Sequence, residues 1–227
     1  MWFLMKNKNK ILALIKQKGR LTSGEITGSI GVSRQYVHMI MSGLIAEKQV
    51  IKLGGTRNAF YVTPEYVQAH PDILPTTFKK KYRNISLEEH QVLMELEEKF
   101  PPISNIPENI KSIFTFAFSE MFNNAIEHSK SKIISVEVSL RNNKLSFIVE
   151  DSGVGVFRNI MKKRGLRSVT EAIQDLLKGK TTTMPKSHSG EGIFFTSKAS
   201  DVFMLDSFGH QLGIQTLRGD VTVTQTT

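Results

Sequence analysis

Glu120-Met-Phe-Asn-Asn-Ala-Ile-Glu-His128 closes a run that reads as one long helix. The run starts after Ile106, with Pro107 at its first turn, where the fixed proline φ suits a helix start. Ile110, Ile113, Phe114, Ala117, Met121 and Ala125 recur at helical spacing and predict its buried stripe. Glu120, Asn124 and Glu127 stand at i, i+4 and i+7, together beside that stripe and not opposite it. Polar side chains at such a border suit the floor of a cleft or an ordinary wet helix edge. The helix alone does not separate the two.

Downstream, Lys132–Leu140 and Lys144–Glu150 are alternating or β-branched runs joined through Arg141-Asn142-Asn143, a predicted antiparallel hairpin. It ends in Glu150-Asp151-Ser-Gly153-Val-Gly155. A carboxylate at a strand end accepts a hydrogen bond from a ligand amino group, and glycines let backbone approach a flat ring. Ser168-Val-Thr-Glu171 has capping-box spacing and predicts a helix ended by Gly179. A polar stretch, Lys178 to Gly192, closes in Ser189-Gly190-Glu191-Gly192 and opens an apolar helix at Ile193-Phe194-Phe195. A glycine-rich loop at a helix start is an anion site, and Lys178, Lys180 and Lys186 add positive charge. The spacing is not that of a P-loop.

Taken in order, Glu120-x-x-x-Asn124-Ala125, Asp151-x-Gly153-x-Gly155 and Gly190-x-Gly192 resemble the GHKL ATP-binding superfamily over residues 105–225 or so. This superfamily holds gyrase, the heat-shock chaperone, histidine kinases and mismatch-repair MutL. The segment Glu120–His128 looks most like its anti-sigma serine-kinase branch. The resemblance implies a two-layer α/β sandwich with one mixed, mostly antiparallel sheet, and ATP with Mg²⁺ under a lid. It implies Asn124 as the Mg²⁺ ligand, Glu120 as the group activating a water or hydroxyl, and Asp151 as the acceptor for the adenine amino group. Gly153 and Gly155 would line the base, Ser189, Gly190 and Gly192 would hold phosphates, and Lys180 would meet the terminal phosphate. It also implies one strand beyond Asp220–Thr224, so either the chain is truncated or a closing strand comes from elsewhere, a homodimer being one source.

Upstream, a helix over about Asn9–Lys18 is stopped by Gly19, and Thr22-Ser-Gly-Glu25 has the capping-box spacing of a second helix ended by Gly31. Ser33 is an N-cap for a third helix, with Val37, Ile40, Met41 and Leu44 facing the core and Arg34, Gln35 and His38 facing out. Val50–Leu53 and Asn58–Val62 flank Gly54-Gly55 and predict a hairpin with Lys52 and Arg57 near its tip. Over residues 8–65 this resembles the winged helix-turn-helix of bacterial regulators, which implies DNA binding. Arg34 and Gln35 suit guanine and adenine edges, His38 shares their face, and Lys52 and Arg57 suit phosphates. A winged helix also serves as a protein-docking module.

These readings divide the chain into a DNA-binding domain at 1–65, a linker and helix at 66–104, and an ATP-binding domain at 105–227. The predicted fold class is α+β. Of the 227 residues 40% are hydrophobic, enough for a buried core. Net charge is +9, distributed as +10 over residues 1–83 and −1 beyond, which points the first third toward a polyanion. The absence of cysteine excludes disulfides, thiolate zinc sites and cysteine nucleophiles. No apolar run reaches membrane-spanning length and no export signal is present, so a cytoplasmic protein with no membrane partner is expected. No spaced His, Asp and Glu cluster suits zinc, and the surroundings of His90 do not match a phosphoacceptor histidine. Three functions fit: a transcriptional regulator whose DNA binding responds to Mg·ATP, an anti-sigma-like serine/threonine kinase that docks its substrate protein through the winged module, or slow ATP hydrolysis that times a dimer contact. Whether ATP is hydrolysed is open in the first.

Overall fold

A computed structural model describes residues 2–55, 58–179 and 191–225. They form two compact units, one of residues 1–76 with 98–104, the other of 77–97 with 105–227.

In the first unit α1 (Trp2–Lys18) leads through β1 (Arg20–Thr22) to α2 (Ser23–Ile30) and α3 (Arg34–Ala46), then β2 (Ile51–Leu53) and β3 (Phe60–Val62). The three short strands form one antiparallel sheet in the order β1-β3-β2. Local chemistry sets the helix starts. Thr22 accepts from the Glu25 amide while the Glu25 carboxylate accepts from the Thr22 amide, so both arms of the capping box are made. The Thr22 amide first, and then the Thr22 hydroxyl donating to the same carboxylate at 2.8 Å, hold the Glu25 carboxyl below its ordinary range. Ser33 accepts from the Tyr36 amide at 3.2 Å and starts α3. Ile11, Ile15, Leu21, Ile26, Val37, Ile40, Met41 and Leu44 are buried in one cluster. The first helix starts earlier than the spacing predicts, and β1 was not expected because three residues show no period.

The stretch expected to link two domains is itself structured. It holds α4 (Pro64–Ala69), capped by Thr63, then β4 (Thr77–Arg83) and α5 (Glu89–Lys99). Lys79-Lys80-Lys81 is part of that strand, and the pleat splits it, with Lys79 and Lys81 exposed and Lys80 half-buried. Lys79 pairs with Glu137 at 2.7 Å on one side, and Lys80 meets Glu95 of α5 at 2.6 Å on the other. Tyr82 donates to Glu95 at 3.1 Å, and burial first, then the carboxylate's charge, pushes its phenol well above its ordinary range.

The second unit continues with α6 (Glu108–His128), β5 (Ile133–Arg141) and β6 (Lys144–Asp151). The hairpin turns on Asn142 and Asn143, both left-handed, as a two-residue turn requires. Order β4-β5-β6 gives one antiparallel sheet. The inner side of α6 is Phe114, Ala117, Phe118, Phe122 and Ala125. Phe114, Phe118 and Phe122 stack along the helix, Phe147 of β6 meets the first two edge-on, and Tyr82 of β4 meets Phe122 edge-on. The predicted stripe is thus rotated: Phe118 and Phe122 are core, whereas Ile110 and Ile113 are 40% and 41% exposed. Aromatic pairing to the sheet favours the phenylalanines over the isoleucines of the first turns.

Next come α7 (Val156–Arg164), α8 (Val169–Leu177) and α9 (Glu191–Ala199), then β7 (Val202–Ser207), β8 (His210–Gln215) and β9 (Asp220–Gln225). Phe157, Ile173, Leu176 and Ile193 of these helices share a core with Phe203, Leu212 and Ile214. β7-β8-β9 is a second antiparallel sheet. The mixture of helices with mainly antiparallel strands is as expected. The single mixed sheet is not: the described strands of this unit divide into two three-stranded sheets, because no ladder bonds join β6 to β7. Ser168 caps α8 through the Glu171 amide, but the Glu171 carboxylate accepts from Arg167 and not from Ser168, so only half of that capping box is made.

Candidate functional site

The long helix α6 carries Glu120 and Asn124 one turn apart on its half-buried flank, while Glu127 is exposed. Gly192, in the first turn of α9, passes so close that a Cβ there would overlap the Glu120 carboxylate. A larger residue there would displace the Glu120 side chain. Glu120, otherwise, has no hydrogen-bond partner among the described residues, and neither does the Asn124 amide.

Past the end of α6 the chain is tied down by a serine-rich turn. Ser129 Oγ donates to the Ala125 carbonyl at 2.5 Å, and the Ser131 amide donates to Ser129 Oγ at 2.9 Å. Asn84, just after β4, donates to the Ile126 and Ser131 carbonyls at 3.1 and 3.0 Å. The Asp151–Gly155 loop is moored to this same turn. Val154 N–H donates to the Ser129 carbonyl at 2.7 Å, and Ser152 N–H to Ser131 Oγ at 3.2 Å. Gly153 crosses directly over the Ser129 carbonyl, with which any Cβ would collide. Asp151 Oδ1 accepts from the Gly153 amide at 2.8 Å and shapes the loop as an Asx turn. Its second oxygen, Oδ2, has no partner among the described residues. Gly155 has φ of +78°, and a Cβ there would overlap the Phe208 ring and the Ser207 hydroxyl at the end of β7.

Glu120, Asn124, Asp151, Gly153, Gly155 and Gly192 therefore come from three separate segments gathered around the second half of α6. Lys180, Ser189 and Gly190 lie outside the described residues. Sequence reasoning missed Ser129, Ser131, Ser207 and Phe208. The first two follow a helix whose end had been located, so their capping chemistry was readable. Ser207 and Phe208 join the loop only through the fold. No group of three or more His, Asp or Glu residues among the described residues is arranged to hold a metal ion.

In the first unit Arg34, Gln35 and His38 all stand exposed on the first turns of α3, opposite Val37, Ile40, Met41 and Leu44. Lys52 is exposed on β2, opposite Tyr61 of β3. Arg57 lies outside the described residues. Charge follows the structural division less steeply than the sequence suggested. Eleven Lys and Arg against five Asp and Glu give the first unit +6, and 19 against 16 give the second +3. The difference arises because Lys79, Lys80, Lys81 and Arg83 belong to β4 of the second unit.

No helix among the described residues is long and apolar enough to cross a membrane. No protein-family model, curated protein or solved structure matches the chain.

Proposed function

We infer that this chain is a nucleotide-responsive regulator. Its second unit, a GHKL-like module, binds Mg·ATP beside α6. Its first unit, a winged helix, binds DNA through α3. The contact of Gly192 with Glu120 carries the nucleotide reading: residues 72 positions apart in the sequence meet, on the helix to whose end the Asp151 loop is moored. The groups fit the ligand. Asp151 has one oxygen without a partner among the described residues, open to an amino group, and Asn124 offers a hard oxygen donor of the kind Mg²⁺ takes alongside phosphates and waters. Asn124 would hold the ion, which would supply neutralisation of phosphate charge. Gly153 and Gly155 keep the loop close to the base, and Gly192 leaves α9 free of a side chain that would fill the space beside Glu120.

The order α-β-α-α-β-β, with β1 paired to β3, supports the winged-helix reading. Exposure of Arg34, Gln35 and His38 on one helical face supports base contact. A second reading has its own support in Glu120, half-buried and without a hydrogen-bond partner among the described residues, one turn from Asn124. A carboxylate so placed suits proton abstraction from a hydroxyl, as a serine/threonine kinase needs, with the first unit docking the substrate protein.

Calorimetry with ATP, with and without Mg²⁺, tests the nucleotide site. Asp151→Ala weakens ATP by about tenfold to 150-fold, the loss of a charged acceptor. A wild-type protein with no ATP affinity at millimolar nucleotide overturns the assignment.

A further inference from the structure

Phe208-Gly209 is the two-residue turn between β7 and β8, with φ of +48° and +73°. Both positions are left-handed, the geometry that asparagine followed by glycine adopts most easily. Gly209 meets that demand. Phe208 does not, because its Cβ crowds the backbone at positive φ. An aromatic kept at such a position has a use beyond the turn. Burial is not that use, since Phe208 remains 49% exposed.

The ring leans on the segment that follows β6. Arg158 of α7 sets its guanidinium 3.7 Å from the ring centroid. Gly155 lies against the ring edge closely enough that a Cβ would overlap it. Next to Phe208, Ser207 is 8% exposed, and its hydroxyl is buried beside the same glycine without a hydrogen-bond partner among the described residues. A strained, half-open aromatic ring and an unsatisfied hydroxyl thus flank one edge of the Asp151–Gly155 loop. The ring already holds a planar cation, the guanidinium, over one face.

We propose that Phe208 is a stacking wall for the base of the nucleotide. The proposal rests on the nucleotide reading above, in which Asp151 and Gly155 border the base. Stacking accepts any nucleobase because each has a π-face, so Phe208 supplies affinity while Asp151 selects the amino group. The contact serves the nucleoside and not the phosphates.

Binding of ATP, ADP and inorganic triphosphate to the full chain in Mg²⁺, together with thermal unfolding, tests this with Phe208→Asn and Phe208→Trp. Asparagine suits the turn, so Phe208→Asn keeps or raises Tm while weakening ATP and ADP by about fivefold to 150-fold. Triphosphate binding is unchanged, and Phe208→Trp keeps ATP within about threefold because it restores a π-face. Unaltered ATP affinity in Phe208→Asn overturns the stacking role and leaves the nucleotide reading standing. A loss shared by triphosphate, or one accompanied by a fall in Tm, makes Phe208 a structural wedge and also overturns it. Absence of ATP and ADP binding in the wild type overturns both.

Discussion

The exposed face of α3 and the half-buried flank of α6 carry polar residues at similar helical spacing, yet they are built on opposite principles. Arg34, Gln35 and His38 stand in solvent, and the helix beneath them is fixed by Ser33 and four buried apolar side chains. Any of the three can change without disturbing the fold. Beside Glu120 stands Gly192, brought in from α9 with no side chain to displace the acid, and the loop moored past the end of α6 passes the Ser129 carbonyl through Gly153. A periodic helix face is a surface for whatever binds it. A helix flank crossed by remote glycines is a site assembled by the whole unit.

The comparison breaks most sharply at Glu120. If it is a general base, Glu120→Ala leaves ATP binding within about twofold and lowers turnover by about 10²–10⁴-fold in a phosphate-release or phosphotransfer assay. Unchanged turnover makes the site a sensor and removes the kinase reading. Gly153→Ala follows, at about 3 kcal/mol of stability by denaturant titration, because the Ser129 carbonyl it meets is backbone and already bonded to Val154. Gly192→Ala meets the end of a side chain instead, so it costs less stability while displacing Glu120. Equal losses for the two would erase the distinction between backbone and side-chain obstruction. Smallest is the effect on α3. Arg34→Ala costs about 1–3 kcal/mol at a specific DNA site, measured by anisotropy, with no change in Tm. Lys52→Ala weakens all duplexes about equally and lowers the salt slope by about one contact. If Arg34→Ala leaves every duplex bound as before, the first unit docks protein.

What was legible in the sequence was local. Thr22 with Glu25, Ser33, and the Asn142-Asn143 turn are decided within four residues, and each forms as read. The face of α6 was misjudged because Ile113 and Phe118 are equally apolar, and only the aromatic partners Phe147 and Tyr82, from other strands, select among them. Strand β4 escaped because three consecutive lysines mask the alternation of Phe78 and Tyr82, and the partners Glu137 and Glu95, which meet Lys79 and Lys80 on opposite faces, are remote in sequence. At the candidate site the positions of Glu120, Asn124 and the three glycines were readable as a pattern. The reason for glycine at 153 and 155 was not, since it depends on Ser129 and Phe208, which are adjacent only after folding.

Strand β9 brings a consequence for handling. All six of its residues are exposed, among the described residues it pairs only with β8, and Val221 to Thr224 contain no charge or proline to discourage another strand. The +9 net charge opposes such pairing between copies, with a reach that shrinks from ~10 Å at 0.1 M salt to ~3 Å at 1 M. Raising salt therefore weakens the repulsion that opposes pairing at this edge. If the first unit binds DNA, self-association and release from DNA rise together in a salt series, and light scattering recorded beside anisotropy keeps the two from being mistaken for one another.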